Sequence, residues 1–219
     1  MSLIMTGWKI QMSINEIEKY LDELYPNPRC ELNYNKDYEL LIAVVLSAQT
    51  TDKRVNSVTS ILFRKYDSLE KLKDANIEDI KEIIKPIGTF NKKSIFVKEI
   101  AKYLIDNCKG IVPNDRKMLE SIPGVGRKTA NVVMSNLFDY PAIAVDTHVS
   151  RVSKRLKLAS DSDDVSIIEQ KLMKKIKKEN WSKRHHQLVL FGRYHCKAIK
   201  PECEFCQIKH LCKYKGSNK

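Results

Sequence analysis

The sequence predicts an all-α protein, and three observations carry that expectation; if the chain forms two helical lobes, they must be closely packed. Apolar residues recur at helical spacing along almost the whole chain, with no convincing alternating strand. Polar cap residues and Gly or Pro stops punctuate those stretches at short intervals. One segment, Tyr38 to Gln49, is apolar almost all round and so implies a helix with neighbours on several sides.

The elements follow in order. After Tyr38–Gln49, Val55, Val58, Ile61 and Leu62 form the stripe of a second helix. Ser68 offers an N-cap for a short helix, and Asn76 another for a helix stopped by Pro86 and Gly88. Asn91 opens a longer helix with Ile95, Ile100, Tyr103 and Leu104 facing inward, and Gly110 ends it. Beyond Pro113 a short helix leads to "IPGVGRKTANVV", Ile122 to Val133, where a second helix starts near Arg127. The polar Ser160–Asp164 loop precedes a helix through Ile167, Ile168, Leu172 and Ile176. A last helix, His185 to Cys196, delivers the chain to a cysteine-rich loop. No Pro/Gly/Ser linker and no internal repeat interrupts the sequence.

With 219 residues and 42% hydrophobic content, the chain has enough apolar material for a core, as one domain or two small lobes. Its longest apolar run, Leu40 to Leu46, is far short of the roughly 20 residues of a membrane helix. A soluble intracellular protein is the expectation, cytoplasmic in a prokaryote and nuclear or mitochondrial in a eukaryote. The opening Met1-Ser2-Leu3 reads as an appended start and carries no weight. A net charge of +12 favours polyanionic partners, although lysines also simply solvate helix faces, as the stretch Lys171 to Asn180 does.

Four of the six cysteines, Cys196, Cys203, Cys206 and Cys212, fall in one short loop with the spacing C-x6-C-x2-C-x5-C. Such clustering points to a metal centre. Zinc sites of four cysteines usually combine two separated C-x2-C knuckles, and only one is present, so the spacing favours a [4Fe–4S] cluster over zinc or two disulfides. Lys197 and Lys200 in the same loop suit phosphate contact, with the metal folding the loop that presents them.

In "IPGVGRKTANVV", Gly124 and Gly126 allow close backbone approach, so the amides at the start of the next helix could grip a phosphate; an ordinary helix–helix turn has the same look. Lys128 follows directly, and Asp146 lies eighteen residues further on, ahead of a helical segment. Asp146 reads as an N-cap when taken alone. Paired with Lys128, it supplies the carboxylate that an amine nucleophile needs, with Arg127 as the cationic neighbour.

Together "ELLIAVVLSAQTTD", "IPGVGRKTANVV", "AVDTHVSRV" and "GRYHC" before the four cysteines resemble the endonuclease III family of DNA glycosylases, over nearly the whole chain. The resemblance implies a six-helix barrel domain with a helix-hairpin-helix at residues 30–139. Residues 1–29 and 140–219 would form an iron–sulfur domain around a [4Fe–4S] loop at 196–212, with a DNA-binding cleft between the two. It also implies a monomer acting on double-stranded DNA that contains damaged bases or abasic sites. Lys128 would attack C1′ of an extruded oxidised pyrimidine, assisted by Asp146, and β-elimination would cut 3′ to the abasic site. Glu120 matches a pocket carboxylate of the family, and reads equally well as a solvated helix residue. Gln49 matches the residue that fills the gap left by the flipped nucleotide. Thr89 and Phe90 stand where a leucine and a tyrosine are more usual in a second wedge, so Phe90 could take that role by stacking. His148, His185 and His186 read as structural or phosphate-contacting. Two alternatives remain at this point: a mismatch or alkylated-base glycosylase of the same superfamily, and a non-catalytic iron–sulfur protein for DNA binding or electron transfer.

Overall fold

A computed structural model describes residues 2–214, with side chains from Met12 onward; Met1 and the side chains of Ser2 and Leu3 lie outside the described residues. Eleven α-helices account for most of the described chain, and no strand occurs among the described residues. None of those helices is long and apolar enough to cross a membrane.

The chain divides into two compact units, Cys30–Tyr140 and Met1–Arg29 together with Pro141–Lys219. The first unit holds α2 (Asp37–Leu46), α3 (Asp52–Lys65), α4 (Leu69–Asp74), α5 (Ile77–Ile84), α6 (Phe90–Cys108), α7 (Arg116–Ser121) and α8 (Arg127–Leu137). Its centre is α2, where Leu40, Leu41, Ile42, Ala43 and Leu46 are all fully buried against residues such as Leu62, Ile84, Leu104 and Val133. Loss of that much apolar surface from water is the main force holding the unit together. The caps form as the residue types dictate: Ser68 Oγ accepts from the Lys71 amide at 3.2 Å, Asn76 Oδ1 from Glu78 at 2.9 Å and Asp115 Oδ1 from Met118 at 2.8 Å. Lys109 and Gly110 end α6 in the left-handed region, where Gly110 costs least.

In the second unit, α1 (Ser2–Leu24), α9 (Thr147–Arg155), α10 (Val165–Lys175) and α11 (Trp181–Leu190) bury Ile17, Leu21, Val149, Val152, Ile168, Leu172, Leu188 and Phe191. Arg184 of α11, itself 5% exposed, reaches Glu18 and Asp22 on α1 at 3.0 and 2.7 Å. That contact holds the Asp22 carboxyl well below the usual carboxylate range.

Several sequence expectations need correction. Ile61 and Ile95 are each 52% exposed and Ile167 is 40% exposed, so none belongs to the core. On each helix the buried seam runs through its neighbours: Val55, Val58 and Leu62; Val97, Ile100 and Leu104; Ile168 and Leu172. At about 100° per residue, a position adjacent to the seam turns out toward solvent. The helix from Tyr38 stops at Leu46 rather than reaching Gln49, because Gln49 adopts φ +57. The last helix is α-helical only to Leu190, and Phe191–His195 winds as a π-helix that ends at Cys196.

Candidate active site and metal centre

The hairpin is built around Gly124. Its φ of +83 favours glycine, and a Cβ there would come within 2.8 Å of the Phe96 ring, so no larger residue fits without a shift. Gly126 differs: its backbone is extended, a Cβ would meet nothing within 4 Å, and it forms the N-cap of α8 without any side-chain cap. The first amides of α8 thus lack the side-chain oxygen that closes α4, α5 and α7, which suits them to an anionic ligand. Arg127 and Lys128 are the first two residues of α8, and Lys128 is exposed rather than partly buried, as a lysine whose amine is to be activated would be.

Glu120, on α7, is half exposed and pairs with Arg116 at 3.0 Å. Arg116 in turn donates to Asn131 Oδ1 of α8 at 2.6 Å, so one guanidinium joins the two arms of the hairpin. Asp146 is the N-cap of α9, accepting the Val149 amide at 2.8 Å, and the simple structural reading of this residue therefore holds. Lys128 belongs to the first unit and Asp146 to the second.

Gln49 is exposed at the tip of the turn after α2. Thr89 also lies in the left-handed region, at φ +55, and is exposed at the start of α6, whereas Phe90 is half-buried against the hydrophobic core of its unit. Between these two loops sits a residue the sequence reading passed over. Lys93 is 3% exposed and donates from Nζ to Ala48 O at 2.7 Å and Thr50 Oγ1 at 3.2 Å. Its signal was a lysine in register with Val97, Ile100 and Leu104 on the buried seam of α6.

The four cysteines of the 196–212 loop, with Arg155, Phe191 and His195, line a single cavity. Among the described residues, no three His, Cys, Asp or Glu side chains converge tightly enough to share one metal ion. Burial pushes the Cys206 thiol up to about 11, with smaller contributions from the other three cysteines, and burial also raises Cys212. A donor set of four sulfurs around one space fits a sulfur-ligated cluster.

Two arginines missed by sequence reading hold that loop, and both sit on the polar face of α9. Arg151 donates to Gly192 O at 2.6 Å and Cys196 O at 3.2 Å. Arg155 donates to Lys197 O at 2.8 Å and to Cys196 Sγ at 3.3 Å, with its guanidinium 3.8 Å from the Tyr214 ring centre. Lys197 is engaged by Glu202 at 2.8 Å, which weakens its claim on phosphate, while Lys200 is exposed. His148 packs against Gly192, where a Cβ would come within 2.8 Å of the His148 Cβ; His185 is buried beside His186, ring centres 5.0 Å apart.

Comparison with known proteins places this geometry. The pattern of the HhH-GPD superfamily of base excision DNA repair proteins matches residues 42–178. Endonuclease III of Bacillus subtilis is 46% identical over 205 residues, covering 92% of this chain and 94% of the relative. That of Rickettsia conorii is 47% identical over 201 residues, covering 92% and 95%. A solved structure of a trapped endonuclease III–DNA covalent intermediate superposes with a TM-score of 0.89 at 47% identity, covering 93% of this chain and 95% of that one. A chain so similar in sequence and fold over almost its full length belongs to the endonuclease III family of the HhH-GPD superfamily.

Proposed function

We infer that this chain removes oxidised pyrimidines from duplex DNA and then cuts the strand 3′ to the abasic site. Its class, a base excision repair DNA glycosylase and AP lyase acting on DNA, follows from family membership. The substrate and the residue roles extend that class. The observation that supports the lyase step is the place of Lys128: a primary amine directly after the hairpin turn, on the first turn of a helix whose amides have no side-chain cap.

The target nucleotide must leave the stack before its C1′ can be reached. The uncharged Lys128 amine attacks C1′; the N–C1′ bond forms as the glycosidic bond breaks, and the base departs with the electron pair and is protonated. Opening of the sugar ring gives the Schiff base. Loss of a C2′ proton then expels the 3′ phosphate by β-elimination, and water releases the lysine. Asp146 accepts the lysine proton and balances positive charge developing on the sugar. Glu120 orders a water or contacts the base from the hairpin. Gly124, Gly126 and Arg127 grip a backbone phosphate through amides and charge. Gln49 fills the gap left by the extruded nucleotide, since its amide can both donate and accept toward the orphaned base. Thr89 and Phe90 form the second wedge, and Lys200 contributes to phosphate contact.

A [4Fe–4S] cluster held by Cys196, Cys203, Cys206 and Cys212 is the cofactor that the all-sulfur donor set supports best. When bound, it would draw the four cysteine sulfurs to one centre and so fold the loop that Arg151 and Arg155 hold against α9; no chemical step above passes through it.

A panel of duplexes carrying thymine glycol, uracil, a G·T mismatch or 3-methyladenine tests the substrate class. Release of thymine glycol with strand cleavage, and little release of the others, is expected. Preferential removal of mismatched thymine or of the alkylated base would replace this reading.

A further inference from the structure

A buried lysine needs an explanation, because taking an ammonium out of water is costly and is normally offset by a carboxylate. Lys93 is 3% exposed, yet its ammonium donates to two neutral groups, Ala48 O and Thr50 Oγ1. The compensation is local. Ala48 lies just past the C-terminal end of α2, where unsatisfied carbonyls and the helix dipole favour a cation. Burial nonetheless lowers the pKa of the ammonium.

The two acceptors flank one residue, Gln49, which adopts the left-handed conformation at φ +57 with neither Gly nor Asn to ease it. The rest of the turn is closed by the Thr50 amide donating to Ser47 O at 3.0 Å and by Thr50 Oγ1 donating to Ala48 O at 3.3 Å. Without Lys93, those short-range bonds alone would hold a strained, exposed glutamine. The backbone of Lys93 serves the neighbouring loop as well: its amide donates to the carbonyl of Thr89, the second left-handed residue, at 3.1 Å. One residue therefore braces the turn that carries Gln49 and starts the helix behind Thr89 and Phe90.

We propose that Lys93 is the positioning residue for Gln49, fixing its left-handed turn by bonding the residues on both sides of it, so that the glutamine is poised before DNA arrives. The inference rests on the reading of Gln49 as the residue that fills the gap in the duplex. Lys93 touches neither the substrate nor the reacting atoms. Its effect is on the fraction of complexes in which Gln49 is seated, and hence on kcat for base release more than on affinity for undamaged duplex.

The test uses the full-length protein and a duplex with a tetrahydrofuran abasic analogue opposite 2-aminopurine, whose fluorescence reports restacking of the orphaned base. Lys93→Met keeps the length and apolar stem and removes the charge. It should reduce the seated fraction about tenfold, the scale of one lost charge-assisted hydrogen bond, while plain-duplex affinity changes little. Gln49→Ala should abolish the signal. A Lys93→Met protein that folds and gives the wild-type signal overturns the proposal, provided Gln49→Ala loses it; a wild-type signal from Gln49→Ala removes the Gln49 reading instead. Should Lys93→Met fail to fold, Thr50→Val decides: it removes one acceptor of Lys93 together with the bond from Thr50 Oγ1 to Ala48 O and should lower the signal several-fold, and no change there overturns the proposal.

Discussion

The Asp146 carboxylate accepts the Val149 amide at 2.8 Å, closing the first turn of α9, so one residue carries a structural duty beside the chemical one proposed for it. The two are separable. Asn caps about as well as Asp, whereas Ala does not. Asp146→Asn should leave the melting temperature close to wild type and lower glycosylase kcat by about a hundredfold or more, the scale of general acid–base catalysis. Asp146→Ala should show the same kinetic loss with about 1 kcal/mol of stability gone as well. Thermal unfolding and single-turnover kinetics on one set of variants check both. Full activity in Asp146→Asn would leave the residue with its cap alone.

The hairpin glycines make different demands. Gly124→Ala places a Cβ against the Phe96 ring at a φ of +83, so it should destabilise the protein by about 1–3 kcal/mol. Gly126→Ala meets open space with an extended backbone, so folding should change by no more than about 1 kcal/mol while DNA affinity falls, because the added methyl intrudes where the amides of α8 are exposed. Denaturation curves and binding isotherms at fixed salt distinguish the two. Equal loss of stability in both variants would contradict the assignment.

Acid stability should depend on Asp22. Its carboxyl is held below its ordinary value chiefly by Arg184, with Lys183 and Gln187 adding to the effect. A depressed carboxylate contributes stability above its unfolded pKa, near 3.8, and that contribution is lost as pH falls through the lower folded value. Arg184→Met should therefore cost about 2 kcal/mol at pH 7, scaled down for the partly exposed carboxylates, and flatten the fall in stability below about pH 4. Urea unfolding at pH 7 and at pH 3 measures both. A constant deficit at the two values would contradict the linkage.

The metal centre gives a further expectation. The protein as isolated should be brown and carry about four irons per chain. Arg155→Met removes the donor to Cys196 Sγ and to the carbonyl of Lys197, so it should speed loss of the visible absorbance in air. A colourless protein with stoichiometric zinc would overturn the cluster.

Much of this was readable from residue types. Ser68, Asn76 and Asp115 cap helices because their side-chain oxygens reach an amide two or three residues on, a local interaction that sequence exposes directly. The cysteine spacing and the Gly124 turn are local in the same way. What escaped depends on partners far along the chain. Lys93 is 45 positions from Ala48, and Arg155 is 41 from Cys196, so nothing near either residue announces its contact. Ile61, Ile95 and Ile167 misled because an isoleucine one position off the seam looks apolar in sequence but faces water on a helix. Gln49 was placed inside a helix because apolar continuity hides a single left-handed residue.

The central claim is that Lys128 is the nucleophile, and borohydride reduction tests it most directly. Incubation with a duplex containing thymine glycol or an abasic site, then reduction, should yield a covalent protein–DNA complex. Proteolysis and mass spectrometry should locate the added sugar on the peptide containing Lys128, and Lys128→Ala should form no complex. A complex that persists in Lys128→Ala, or a sugar mapped to another lysine, would contradict the account.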